Sequence, residues 1–237
     1  MKKKLRKLVA GLGAAVLRED EQREVAMAMR LRRIFAERRI DQVIDVGANA
    51  GQFRGFLRDK VRFKGRIVSF EPVPELAERL TARAASDPLW TVRARALGAE
   101  PGELAINVMS ASVFSSFREP LGAGPEIDKM NRVARTEAVP VSTLDAEFAG
   151  QRGLRHTYLK LDTQGFDLEV LRGGRQVLAE IPALQTEVSF RPLYEGMPSY
   201  AESIAAFERC GFAVADLFLV AADDVGRAME FDCIMIR

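Results

Sequence analysis

Asp45-Val46-Gly47-Ala48-Asn49-Ala50-Gly51 follows a short apolar run and sets two glycines four residues apart. Glycine lets a backbone turn tightly and come close to a ligand. Amides that open a helix attract a carboxylate or a phosphate. Asp45, just ahead of the turn, is suited to accept from an ammonium group. A carboxylate-attracting loop beside an anionic side chain matches the zwitterionic methionyl end of S-adenosylmethionine. A dinucleotide site makes a different demand, G-x-G-x-x-G, and this loop has G-x-x-x-G. Glu71 stands twenty residues beyond Gly51, at the end of the next apolar run, where an acid typically grips ribose hydroxyls. We assign Asp45, Gly47, Ala48, Asn49, Gly51, Glu71, Pro72, Ala96 and Leu97 to the cofactor. Plainer roles also fit: a glycine after a strand is often only a turn, and Asp45 can cap a helix.

Lys160-Leu161-Asp162 ends a second apolar run, and Glu187 lies within a third. Residues two apart on a strand face one side, so Lys160 and Asp162 act together. Methyl transfer from a sulfonium needs an oxygen held in line and its proton removed. Asp162, Lys160 and Glu187 are the catalytic candidates, with Asp162 first. The alternatives are a structural ion pair for Lys160 and Asp162, and a solvated strand rim for Glu187. Ser115 and Tyr194 are candidates for contact with the substrate, with packing as the alternative. His156, the single histidine, falls at the start of its strand, the wrong end for a ligand. No metal site is expected.

The elements that position these residues follow from hydropathy. Met27, Leu31, Ile34 and Phe35 recur at helical spacing and predict a helix over residues 20–39. Strands are expected at 42–46, 66–70 and 90–97, with helices between, which implies parallel pairing. Residues 104–108 read as a hairpin strand, and residues 110–136 as a loop covering part of the site. Further strands are expected at 157–162, 184–190, 212–220 and 232–236. A helix over 168–178 is weakened by Gly173-Gly174, and another ends near Cys210-Gly211. The fold class is α/β, one doubly wound sheet of about seven strands.

Composition narrows the function. The 237 residues carry 48% hydrophobic and 29% charged side chains, which is globular. A net charge of +2 calls for no nucleic acid. Cys210 and Cys233 are far apart and form no C-x-x-C pair, so a reducing, cytoplasmic setting fits. Lys2-Lys3-Lys4, Arg6 and Lys7 precede the apolar run Leu8–Leu17, which is too short to span a bilayer. It reads as a helix packing on the domain, with weak membrane-surface association as the alternative to it.

On the blocks Val43–Gly51, Phe70–Pro74, Val141–Asp145, Leu159–Gly165 and Leu184–Phe190, the chain resembles the FkbM family of methyltransferases. The resemblance runs from about Asp41 to the C-terminus. It implies the seven-stranded class I methyltransferase fold with an antiparallel last strand. It also implies O-methylation of hydroxyls on sugars, glycans or polyketide-like small molecules. Many members carry Val-Glu where this chain has Thr163-Gln164. Residues 1–39 are then an N-terminal helical extension and 40–237 the methyltransferase domain. The competing readings are a nucleotide-binding oxidoreductase and a non-catalytic partner or membrane-surface protein on the same fold.

Overall fold

The structure, a computed structural model, describes residues 19–122 and 125–237. The basic and apolar stretches of residues 2–17 lie outside the described residues, and with them the expected packing of that segment.

The first element of the described residues is helix α1 (Glu19–Glu37), close to the expected bounds. Then follow β1 (Gln42–Val46), the short helix α2 (Gln52–Phe56) with a wider π-type turn Leu57–Val61, and β2 (Arg66–Phe70). Helix α3 (Pro74–Ala84) and β3 (Trp90–Arg93) complete the first half. The second half holds β7 (Thr157–Leu161), α6 (Asp167–Arg172), α7 (Arg175–Glu180) and β8 (Ala183–Ser189). Helix α8 (Tyr200–Arg209), β9 (Ala213–Ala222) and β10 (Ala228–Ile236) end it.

Seven strands form one sheet in the order β3-β2-β1-β7-β8-β10-β9. The first five pair in parallel, and β10 pairs antiparallel with both β8 and β9. The order reverses between β1 and β7, so ligands are expected beyond the carboxyl ends of those two strands. This is the mostly parallel, doubly wound sheet with an antiparallel last strand that the resemblance implies. β1 and β7 are buried along their whole length, as a parallel sheet covered on both faces requires.

One face packs α1 through Met27, Leu31, Ile34 and Phe35 onto Val43, Tyr158 and Ile234, together with Phe53 of α2 and Leu80 of α3. The other face packs Val170, Val177, Leu178 and Phe207 of α6–α8 onto Ile44, Leu159 and Leu184.

Three expectations change. Residues 90–97 are not one strand. Trp90–Arg93 pairs with β2, the chain turns at Ala94-Arg95, and Ala96–Leu97 (β4) joins a separate three-stranded sheet. The 104–108 strand is longer, β5 (Gly102–Met109), and pairs antiparallel with β6 (Val133–Ser142). The expected loop 110–136 therefore contains a 3₁₀ turn Ser112–Phe114, helix α4 (Pro125–Met130) and the start of β6.

The Gly173-Gly174 pair does break the 168–178 helix. A Cβ at Gly173 would lie 2.0 Å from Gly98 O, and one at Gly174 2.7 Å from Leu144 Cδ2 of α5 (Leu144–Glu147). The glycines thus let α6 and α7 close against the strand that carries Ala96 and Leu97. Asp145 restores the broken helix, accepting from the amides of Gln176 (3.0 Å) and Val177 (2.9 Å) at the start of α7.

Candidate active site

The turn after β1 is held by its own geometry. Gly47, Asn49 and Gly51 all adopt left-handed φ (+83°, +48° and +80°). A Cβ at Gly47 would lie 1.9 Å from Asp162 O, so only glycine lets the turn pack against the end of β7. Gly47 N and Ala48 N donate to Phe70 O, each at 3.0 Å, and Asp162 N donates to Val46 O at 3.0 Å. The ends of β2, β1 and β7 are thereby fixed to one another.

Glu71 is buried beside that turn. Its carboxylate accepts from Asn49 N at 2.6 Å through one oxygen and from Val73 N at 2.9 Å through the other. Burial pushes its carboxyl up to about 7, against these two hydrogen bonds. Asp45 sits behind the turn with no exposed surface. Ser69 donates to its Oδ2 at 3.0 Å, and Trp90 Nε1 donates to Ser69 Oγ at 3.0 Å. Asp45 Oδ1 has no hydrogen-bond partner and lies 3.8 Å from Lys160 Nζ. A buried carboxylate oxygen without a donor is unusual and marks a place where one is wanted.

A cavity of about 540 Å³ begins at this turn. Gly47, Ala48, Asn49, Glu71, Pro72, Ala96 and Leu97 all line it. Gly51 and Asp45 do not: Gly51 packs on Leu80 and Trp90, and Asp45 supports the turn from inside. The segment after β5 covers one side of the cavity. Ser112 Oγ donates to Asn49 Oδ1 at 3.0 Å, and Ser115 lines the wall.

The cavity ends on carboxylates. Lys160 Nζ donates to Asp162 Oδ2 at 2.8 Å. Gln164, at φ +50°, donates through Nε2 to Asp162 Oδ1 (3.1 Å) and to Glu187 Oε2 (2.9 Å). Burial raises Asp162, but the Lys160 charge and the hydrogen bonds outweigh it and hold the carboxyl below its ordinary range. Burial, then the Asp162 charge, pushes Glu187 well above that range. Two neighbouring acids are thus pushed in opposite directions, Asp162 down and Glu187 up.

β10 brings two further acids that the sequence reading missed. Asp232 stands opposite Glu187 in register, and Gln185 Nε2 donates to it at 2.7 Å. Glu230 accepts from Ser189 Oγ at 2.9 Å, and burial pushes it up to about 7. Their signal is an acid at alternate positions of an otherwise apolar strand, Glu230-Phe231-Asp232-Cys233. Arg23 and Met27 of α1 line the same end, and Arg23 Nη1 donates to Leu219 O of β9 at 3.0 Å. Tyr194 lies outside the cavity wall. It is fully buried, and its single hydroxyl proton is shared between two acceptors, Phe114 O (2.8 Å) and Gln164 Oε1 (2.9 Å). His156 is half-buried in the turn before β7, at the opposite end of the strands. No group of acids, cysteines or histidine with metal-holding geometry occurs among the described residues. No helix among them is long and apolar enough to cross a membrane.

These residues suit a nucleoside with a charged tail. Ionised, Glu71 still has lone pairs for ribose hydroxyls beside its two amide bonds. The turn approaches the cavity with almost no side chain, and an unpartnered carboxylate oxygen stands behind it.

Comparison with known proteins agrees with the geometry. The model of the methyltransferase FkbM domain matches residues 45–214. Methyltransferase FkbM from Methylobacillus flagellatus KT is similar in fold, with TM-score 0.53, 15% identity, and coverage of 84% of this chain and 44% of that one. The bifunctional kinase-methyltransferase WbdD is similar in fold, with TM-score 0.50, 13% identity, and coverage of 96% of this chain and 41% of that one. The chain thus spans less than half the length of either. No curated protein matches the chain closely enough to count as a relative.

Proposed function

The chain belongs to the FkbM methyltransferase family, whose methyl donor is S-adenosylmethionine, and from that premise we propose that it methylates a hydroxyl of a sugar, glycan or polyketide-like small molecule. One observation carries the reading. A single cavity is lined both by the glycine turn and Glu71 and by Asp162 and Glu187.

Bound there, the cofactor supplies an electrophilic methyl group on a sulfonium. Gly47, Ala48 and Asn49 receive its amino-acid end, with Asp45 completing the turn's electrostatics from behind. Glu71 accepts from the ribose hydroxyls, and Pro72, Ala96 and Leu97 border the base. Ser115 belongs to the wall between the two ends of the cavity, and Tyr194 acts behind it. Lys160 and Gln164 orient Asp162, and the Lys160 charge holds its carboxyl below the ordinary range, which suits it to accept the proton of an acceptor hydroxyl. Glu187, raised by burial and by the Asp162 charge, is better suited to donate a hydrogen bond to the acceptor than to act as a base. Lys160 serves by fixing the charge and direction of Asp162. No step requires a metal ion.

Residues 40–237 form the methyltransferase domain in this reading, and the extension of residues 1–39 lends α1 to the acceptor wall. The acceptor is a small molecule or glycan, not nucleic acid, and the setting is cytoplasmic. Membership of a methyltransferase family leaves the oxidoreductase alternative without support.

Titration calorimetry with S-adenosylhomocysteine tests the cofactor half, and absence of binding by the folded protein sinks it. Asp162→Asn should keep that affinity and lose methyl transfer. Persisting transfer excludes Asp162 as the base.

A further inference from the structure

Gln164 has a role that its residue type alone does not announce. It occupies the left-handed region (φ +50°), uncommon for a residue with a side chain. Every polar atom of its side chain is engaged. Nε2 donates to Asp162 Oδ1 and Glu187 Oε2, and Oε1 accepts from the Tyr194 hydroxyl. Its carbonyl accepts from Ser116 Oγ at 2.7 Å. With Oε1 toward the Tyr194 hydroxyl, the amide presents its N–H bonds to the two carboxyls.

We propose that Gln164, oriented by Tyr194, is a positioning residue that clamps Asp162 and Glu187 together so that both face the acceptor hydroxyl. The proposal rests on the methyl-transfer reading of this cavity. A single amide bridges carboxyls on the ends of two neighbouring strands, β7 and β8. A glutamate here would set a third carboxyl against the other two and turn the bridging donor into an acceptor. Tyr194 is rooted in a separate apolar cluster with Met109, Leu193 and Met229, so the clamp is anchored outside the sheet. Other charged or titratable groups facing the pair are Lys160 of β7, Asp45 of β1, Glu71 after β2, Asp167 of α6, and Glu230 and Asp232 of β10.

The test uses the full chain with Gln164→Glu and Tyr194→Phe. Two quantities are read: S-adenosylhomocysteine affinity by calorimetry, and side-chain carboxyl titration by carbon-13 NMR with and without that ligand. In the wild type, one carboxyl of the pair should titrate below the ordinary range and one well above it. Gln164→Glu should move at least one of these midpoints by a pH unit or more, with ligand affinity within about threefold of wild type, a change under 1 kcal/mol. Tyr194→Phe should move the same resonances in a fold that still melts cooperatively, which covers the case in which Gln164→Glu does not fold. Unchanged midpoints in both variants overturn the proposal. So does a Gln164→Glu protein that folds and shifts no carboxyl but loses the ligand, since Gln164 would then serve the cofactor. If the wild type fails to bind the ligand, the methyl-transfer reading fails instead, while the titrations without ligand still judge the clamp.

Discussion

Glu71→Gln separates two consequences of one buried carboxyl. Folding raises Glu71 from its usual 4.5 to about 7, chiefly through burial. Each tenfold change in proton affinity is worth about 1.4 kcal/mol, so the rise amounts to on the order of 3 kcal/mol. Between these two pKa values the native state binds more protons than the unfolded chain. Stability from this group is therefore fully present below about 4.5 and is lost as pH rises toward 7. Glutamine does not titrate. It does leave one of the two amides, Asn49 N or Val73 N, facing an NH₂ group, at a cost of about 1–3 kcal/mol that does not vary with pH. Urea unfolding at pH 5 to 8 should show the variant gaining on the wild type by most of that 3 kcal/mol.

Ligand affinity should move the other way. Ribose hydroxyls donate, so they want the ionised Glu71, and below about 7 binding must expel its proton. Wild-type affinity for S-adenosylhomocysteine should fall as pH drops below 7, by up to tenfold per pH unit. The variant should show no such slope, and at pH 8 it should bind roughly ten- to hundredfold more weakly, for a charge-assisted hydrogen bond worth about 1.5–3 kcal/mol. A stability difference that is flat in pH refutes the burial argument. A wild-type affinity that is flat from pH 5.5 to 8 refutes the ribose assignment.

Gly47→Ala combines a left-handed φ with a Cβ placed 1.9 Å from Asp162 O, so it should destabilise by more than ~3 kcal/mol, read as a loss of melting temperature. Leu31→Ala opens a cavity under α1 at a fully buried site and should cost ~2–5 kcal/mol in urea unfolding. A near-neutral result would mean that α1 is an appendage. Lys160→Met removes the cation shared by Asp162 and Asp45, which should cost ~3–5 kcal/mol at pH 8 and move the Asp162 midpoint upward in carbon-13 NMR. An Asp162 midpoint that stays below the ordinary range would show that Lys160 does not hold its charge.

The main sheet was legible because its strands are short, apolar and closed by glycine or an acid. The run from Trp90 to Leu97 was misread for a definite reason. Alternation of side chains persists across the Ala94-Arg95 turn, and a period-two pattern carries no record of which strand it pairs with. What divides the run is tertiary: Arg93 lies against the rings of Phe70 and Phe148 and pairs with Glu147, while Ala96 bonds into β6. The turn side of the cavity was legible for a related reason. Its residues are close in sequence to the turns that build it, and seven of the nine assigned there line the cavity.

The carboxylate cluster was not legible as a whole because no local stretch contains it. Asp162 and Glu187 are 25 positions apart in the chain, and Glu230 and Asp232 come from the antiparallel strand inserted beside β8. Only the strand order brings them to one edge. Arg23 and Met27 come from a helix that precedes the first strand altogether. The family match at residues 45–214 includes neither that helix nor β10. The turn, Glu71 and the Asp162–Glu187 pair lie inside the matched region, so part of the cavity's lining comes from chain that the family match does not include.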